Sequence, residues 1–149
     1  MEFSMIVKPF DQLSPDQLYA ILKLRSEVFV VEQNCVFLDM DNKDQKCHHL
    51  MLFKGDDLMA YARLIPPGAF YKEMSVGRVV TSPKARGTGA GRLLMTKAME
   101  QCRYLFGPGV IRIGAQMYIK NLYASLGFVE TGEPYDEDGI MHIEMITQE

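Results

Sequence analysis

Arg86-Gly87-Thr88-Gly89-Ala90-Gly91-Arg92 has the residue types of an anion site. Three glycines let the backbone approach an oxyanion without a Cβ in the way. A helix that starts there adds free N–H groups and the positive end of its dipole, and the two arginines add charge. Two common phosphate loops do not fit. A P-loop needs Lys-Ser/Thr after its last glycine, and Arg92-Leu93 stands there. The dinucleotide fingerprint needs glycine at its sixth position and an acid about twenty residues on; Arg92 and Arg112 stand there instead. What remains is Arg-x-x-Gly-x-Gly at Arg86 to Gly91. A ligand-free glycine-rich turn is the alternative.

The elements that must position this loop follow from periodicity. Phe3 to Phe10 reads as a strand. Ser14-Pro15-Asp16-Gln17 is a capping box with proline at the first helical position, and Leu18, Ile21, Leu22, Arg25, Val28 and Phe29 continue at helical spacing. Arg25 is a charge on that apolar face and needs a partner; Glu27, Glu32 and Asp39 are near in sequence. Gln33 to Lys46 is a polar loop or broken helix. Leu50 to Phe53 and Leu58 to Leu64 read as a hairpin. Met74 to Thr81 is a strand in which Gly77 marks a bulge or close approach. The loop then leads into a helix from Ala90 to Leu105. Val110 to Gln116 is a strand, Asn121 to Leu126 a short helix, and Phe128 to Glu130 and His142 to Ile146 are closing strands. Hairpins followed by a β-α-β unit predict an α/β domain, residues 1–149, with a mixed, mostly antiparallel sheet flanked by helices.

Composition sets the outer bounds. The chain has 149 residues, 48% hydrophobic and 23% charged, with 16 bases against 19 acids. Those proportions exclude intrinsic disorder. The mild acidity argues against nucleic-acid binding, and no apolar run spans a bilayer. No signal peptide is evident, and three cysteines without framework spacing fit a reduced cytosolic protein, so the expected location is cytoplasmic. Cys35 with Cys47, His48 and His49 matches no common zinc spacing, and adjacent histidines on a strand face opposite ways, so no metal is expected. The net charge of -3 is uneven. Arg78 to Arg103 holds six bases and one acid, while the last twenty residues hold seven acids and no Lys or Arg. Two solvated surfaces would produce this; so would an anion site and a cation site.

The Arg86–Gly91 pattern resembles the coenzyme-A pyrophosphate loop of the GNAT superfamily of N-acetyltransferases. Asn121-Leu122-Tyr123-Ala124-Ser125-Leu126-Gly127-Phe128 resembles that family's second signature, one residue shorter between Asn and Tyr. Leu24 to Cys35, Asp39-Met40-Asp41, His48-His49-Leu50, Ala60 to Leu64 and Tyr135 to His142 are similar to the ElaA-like branch. The resemblance implies a single-domain GNAT fold whose strands Met74–Thr81 and Val110–Gln116 splay to admit pantetheine. It assigns pantetheine to Val79, Val80, Thr81 and Asn121, and pyrophosphate to the backbone N–H groups of Arg86, Gly87, Thr88, Gly89, Ala90 and Gly91. Tyr123 takes the place of the residue that protonates the departing thiolate. A main-chain N–H near Val79 or Val80 would meet the thioester carbonyl.

The implied activity is acetyl-CoA-dependent transfer of an acetyl group to a primary amine of a small molecule or protein. Direct transfer needs a neutral amine, and Glu32, Glu73, His48 and His49 are the candidate bases, with Glu32 and His49 placed beside the acceptor wall; His142 is expected to pack or cap. The acidic C-terminal stretch is expected to face a cationic acceptor. Dimers are common among such enzymes, which makes a homodimer an open expectation. A non-catalytic acyl-CoA-binding or sensing module on the same fold is the alternative. A relative of signal-lactone synthases ranks last, since the chain has Arg25 and Phe29 but no Trp.

Overall fold

In the computed structural model, residues 2–148 are described; Met1 and Glu149, the last acid of the C-terminal stretch, lie outside them. The Ser14 hydroxyl accepts from Gln17 N at 3.0 Å while Gln17 Oε1 accepts from Ser14 N at 2.9 Å, so the capping box forms and starts α1 (Pro15–Arg25). The helical spacing continues to Phe29, but regular α-helix ends at Arg25. Ser26–Glu32 is a π-helix, continued by the i→i+5 bonds Gln33 N to Val28 O and Cys35 N to Val30 O. The wider turns rotate Val28 and Phe29 together into the core and let Arg25 stay buried.

Among the described residues seven strands form two sheets. β1 (Ser4–Pro9), β2 (His48–Lys54), β3 (Asp57–Ile65) and β4 (Ser75–Thr81) are antiparallel in that order. β5 (Arg112–Gln116), β7 (Ile140–Thr147) and β6 (Phe128–Glu137) make the second sheet, with β7 central. The sheets meet at one parallel bridge, Met74 to Ile111, where Arg112 N donates to Met74 O at 3.0 Å. Beyond it β4 and β5 part. This is the splayed pair of the GNAT fold, in an α/β arrangement of antiparallel sheets flanked by helices.

β2 is apolar on both faces because both are covered. Leu50 and Leu52 join a core with Leu94, Met95 and Ala98 of α2 (Ala90–Phe106), and Met51 joins a second with Ile21 and Leu24 of α1. β6 runs to Glu137, well past the expected Glu130, and turns into β7 through Asp138 (φ 53) and Gly139 (φ 84), a two-residue turn of positive φ that suits the strand twist. α3 (Lys120–Ser125) precedes it. Among the described residues no helix is long and apolar enough to cross a membrane.

Candidate functional site

The parting of β4 and β5 opens a cavity of about 910 Å³. Its two strand walls carry Val79, Val80 and Thr81 on one side and Ile113, Gly114 and Gln116 on the other. One end reaches the glycine loop. Gly87 (φ 78) and Gly89 (φ 82, the N-cap of α2) have left-handed backbone there, a conformation costing about 1 kcal/mol or more with a side chain. Thr88 Oγ1 donates to Ala85 O at 2.5 Å and tightens the turn. At Gly91 a Cβ would lie 3.9 Å from the side chains of Thr81 and Leu122, in ordinary packing contact with the strand and α3.

Tyr123, on α3, lines the cavity, is buried, and meets Phe128 edge-to-face at 6.0 Å. Burial pushes its phenol above the ordinary tyrosine range, so it holds its proton throughout the physiological range. Asn121 is exposed on the same helix and outside the cavity lining.

Glu32 ends the π-helix at the cavity wall. Its two oxygens take both terminal nitrogens of Arg86 at 2.5 Å, a bidentate bridge from the π-helix to the glycine loop. That bridge holds the Glu32 carboxyl below its ordinary range. Of the three acids near Arg25 in sequence, Asp39 is its partner and Glu32 is not: Arg25, fully buried, donates to Asp39 at 2.7 Å and also to Asp44, which was not among the three, at 2.8 Å. Glu27 makes no such contact either, because a helix carries it away from a residue two positions back, whereas the returning loop brings Asp39 and Asp44 over Arg25.

His49 is not brought to the cavity. It is buried, with Nδ1 2.6 Å from Tyr61 Oη and Nε2 2.9 Å from Asp44 O, and burial keeps its pKa below the ordinary value. His48 faces the other way, edge-on to Phe106, as alternation requires. Glu73 pairs with Arg112 at 3.1 Å, also outside the lining. His142 packs as expected, stacked on Tyr135 with Nδ1 2.8 Å from Ile140 O, and it also lines the cavity.

The other end of the cavity holds residues to which the sequence reading gave no site role. Arg63 on β3 is fully buried and grips both Asp41 oxygens at 2.9 and 3.0 Å, and Asp44 at 3.0 Å. Burial opposes ionisation of Asp41, but Arg63 overcomes it and holds the pKa at about 2. Arg78, at φ 48 inside β4, reaches Asp39. Tyr71 and Tyr135 bring their hydroxyls together over Gly114, where a Cβ would lie 2.7 Å from Tyr135 Oη and 3.4 Å from that of Tyr71. An arginine inside an apolar strand was the available signal for Arg63, since a buried charge must be paired.

The charge asymmetry is only partly spent on the site. Of the basic segment, Arg86 and Arg78 line the cavity, Arg92 bonds Ser125 and Lys97 pairs with Glu100. Of the acidic stretch, Glu137 and Asp138 line it, while Glu130 pairs with Lys120 and Glu144 with Arg112.

Known proteins share this architecture. A family model described as an acetyltransferase (GNAT) domain matches residues 11–148. Protein ElaA of Escherichia coli is 42% identical over 136 residues, 90% of this chain and 89% of that one. Its crystal structure superposes with a TM-score of 0.92, covering 99% of this chain and 100% of the other at 38% identity. An acyl-CoA N-acyltransferase from Pseudomonas aeruginosa gives a TM-score of 0.93 at 38% identity, covering 98% and 99%. A Salmonella typhimurium structure, a putative acetyltransferase with its cofactor acetyl-CoA, shares the fold alone, at 17% identity and a TM-score of 0.72 over 99% of this chain and 94% of that one. With a glycine loop at one end of a splayed strand pair and a buried tyrosine on its wall, the chain belongs to the GNAT acetyltransferase family, among the homologues of ElaA.

Proposed function

We propose that this protein is an acetyl-CoA-dependent N-acetyltransferase that transfers an acetyl group directly to a primary amine. The observation that carries this reading is the cavity between β4 and β5, which joins the glycine loop to Tyr123. Its residues fit an acyl-coenzyme A. The edge of β4 at Val79–Thr81 offers main-chain hydrogen bonds to the two amides of pantetheine. The loop from Arg86 to Gly91 offers N–H groups and a guanidinium to the pyrophosphate.

The amine nitrogen attacks the thioester carbonyl carbon. The C–N bond forms, the C–S bond breaks, and the thiolate takes the proton of Tyr123, whose buried phenol is protonated at neutral pH. A main-chain N–H of Val79 or Val80 receives the negative charge that develops on the carbonyl oxygen. A cationic amine loses one proton to solvent before it attacks; the second leaves the nitrogen to solvent after the C–N bond forms, and solvent returns a proton to the Tyr123 phenolate, so that amine and thioester give amide and free thiol. Glu32 is a poor acceptor for either amine proton while Arg86 holds it ionised, and His49 is sealed from the cavity. Glu137 and Asp138 at the rim favour a cationic amine.

Tyr123→Phe tests the mechanism. Acetyl-CoA should still bind by calorimetry with unchanged affinity, while turnover of an amine, read as free thiol, falls about 10²-fold. Coenzyme binding with no turnover by the unmodified protein would favour a sensing module, and no binding would reject both.

A further inference from the structure

Four non-glycine residues have positive φ among those described: Asn34, Asn42, Asp138 and Arg78. The first three are of types that accept this backbone and lie outside strands. Arg78 lies inside β4, at the point where the β3–β4 register shifts: Tyr61 faces Val80, Arg63 faces Gly77, and both Arg78 and Val79 stand opposite Ala62. An arginine held in this backbone by its neighbours marks a fixed, strained bulge.

What holds it most closely is one loop residue, Asp39, with Asp41 Oδ2 standing farther off at 3.6 Å from Arg78 Nη2. Asp39 receives Arg78 twice, through Oδ1 from Nε at 2.8 Å and through its carbonyl from Nη2 at 2.9 Å. The other carboxylate oxygen of Asp39 accepts from Arg25 Nε at 2.7 Å. Asp39 is 5% exposed and Arg25 fully buried, so this anchor is rigid and little screened. Asp39 belongs to the 33–46 segment, of which Cys35, Phe37, Leu38, Asp41 and Lys43 line the acceptor end of the cavity. The same segment is tied to β3 through Asp41 and Arg63.

We infer that Asp39 is a positioning residue for acyl transfer: by gripping Arg78 it fixes the β4 bulge, and with it the main-chain N–H groups that stabilise the carbonyl oxygen, only when the acceptor-side loop is folded in place. The loop thereby couples order at the acceptor end to activation of the donor. This inference rests on the proposed transferase reading.

Arg78→Gly is the sharpest test, because glycine keeps the positive φ without strain and removes the side chain that Asp39 grips. The expected result is a fall in kcat of about tenfold or more, a KM for acetyl-CoA within about twofold, and partial recovery of kcat with added methylguanidinium. Arg78→Lys should fall between the two, and Asp39→Asn should move kcat the same way. Amide hydrogen exchange at Val79 and Val80, measured on the full chain without acyl donor, should quicken in Arg78→Gly. Unchanged kcat with unchanged exchange overturns the inference. So does a loss of kcat that follows thermal destabilisation and is not rescued, since the role would then be structural. If the unmodified protein turns over no amine but exchange still quickens, the transferase reading fails while the grip on the bulge stands.

Discussion

Arg86 and Glu32 pose a question of competition at the level of single side chains. A guanidinium that would serve a pyrophosphate is engaged by a carboxylate in an exposed, salt-sensitive pair. Releasing it should help the donor, so Glu32→Gln is expected to lower the KM for acetyl-CoA a few-fold and leave kcat unchanged in steady-state assays. The opposite pattern, a lower kcat at constant KM, would restore Glu32 as the base. The glycines were legible in the sequence because their chemistry is local: three missing Cβ atoms mean the same thing wherever the chain places them, whereas Tyr123 was singled out only by the motif around it. The partners of Arg25 were half legible. Asp39 was among the named acids, but Asp44 was not, since only the path of the returning loop brings it within 2.8 Å. His49 misled for the same reason. Its type suits a base, and its two hydrogen bonds, to Tyr61 and Asp44, are made by folding.

Strands and helices were better marked than their ends. The capping box began α1 where expected, and Gly77 announced the bulge of β4. The switch to π-turns after Arg25 left no mark, because only two buried positions, Val28 and Phe29, fall within it, too few to tell one period from the other. The long β6–β7 hairpin had a signal in Asp138-Gly139, a dipeptide suited to its two-residue turn. At this scale β5 carries a prediction. Gly114 accommodates two tyrosine hydroxyls, and Tyr135 cannot swing away freely because it stacks on His142 at 5.7 Å. Gly114→Ala should therefore destabilise the protein by about 1–3 kcal/mol in urea unfolding. Adding Tyr135→Phe should return part of that loss, and simple additivity of the two changes would refute the contact.

Over the whole molecule, acid should unfold this protein in two stages. His49 is buried and favours its neutral form, so its contribution is present above the ordinary histidine value near 6.5 and is lost as pH falls below it. Asp41, held at about 2 against an ordinary 3.8, contributes above 3.8 and loses that contribution as pH falls through about 2. Asp44, held low by Arg25 and Arg63 despite its burial, acts in the same direction. Each group should bend the stability curve by at most about 1.4 kcal/mol per pH unit. Urea midpoints that stay level from pH 7 to 3 would contradict this. The net charge of -3 foretold none of it, because the charges that matter are buried in mutual pairs and cancel in any sum.

The bridge from Met74 to Ile111 has a mechanical meaning as well. Two sheets joined at one point and parting from there behave as a pair of tongs with that bridge as the fulcrum. A small rotation of one sheet against the other displaces Thr81 and Gln116 far more than Ser75 and Arg112. Width is thus adjustable at the glycine-loop end and stiff near the pivot.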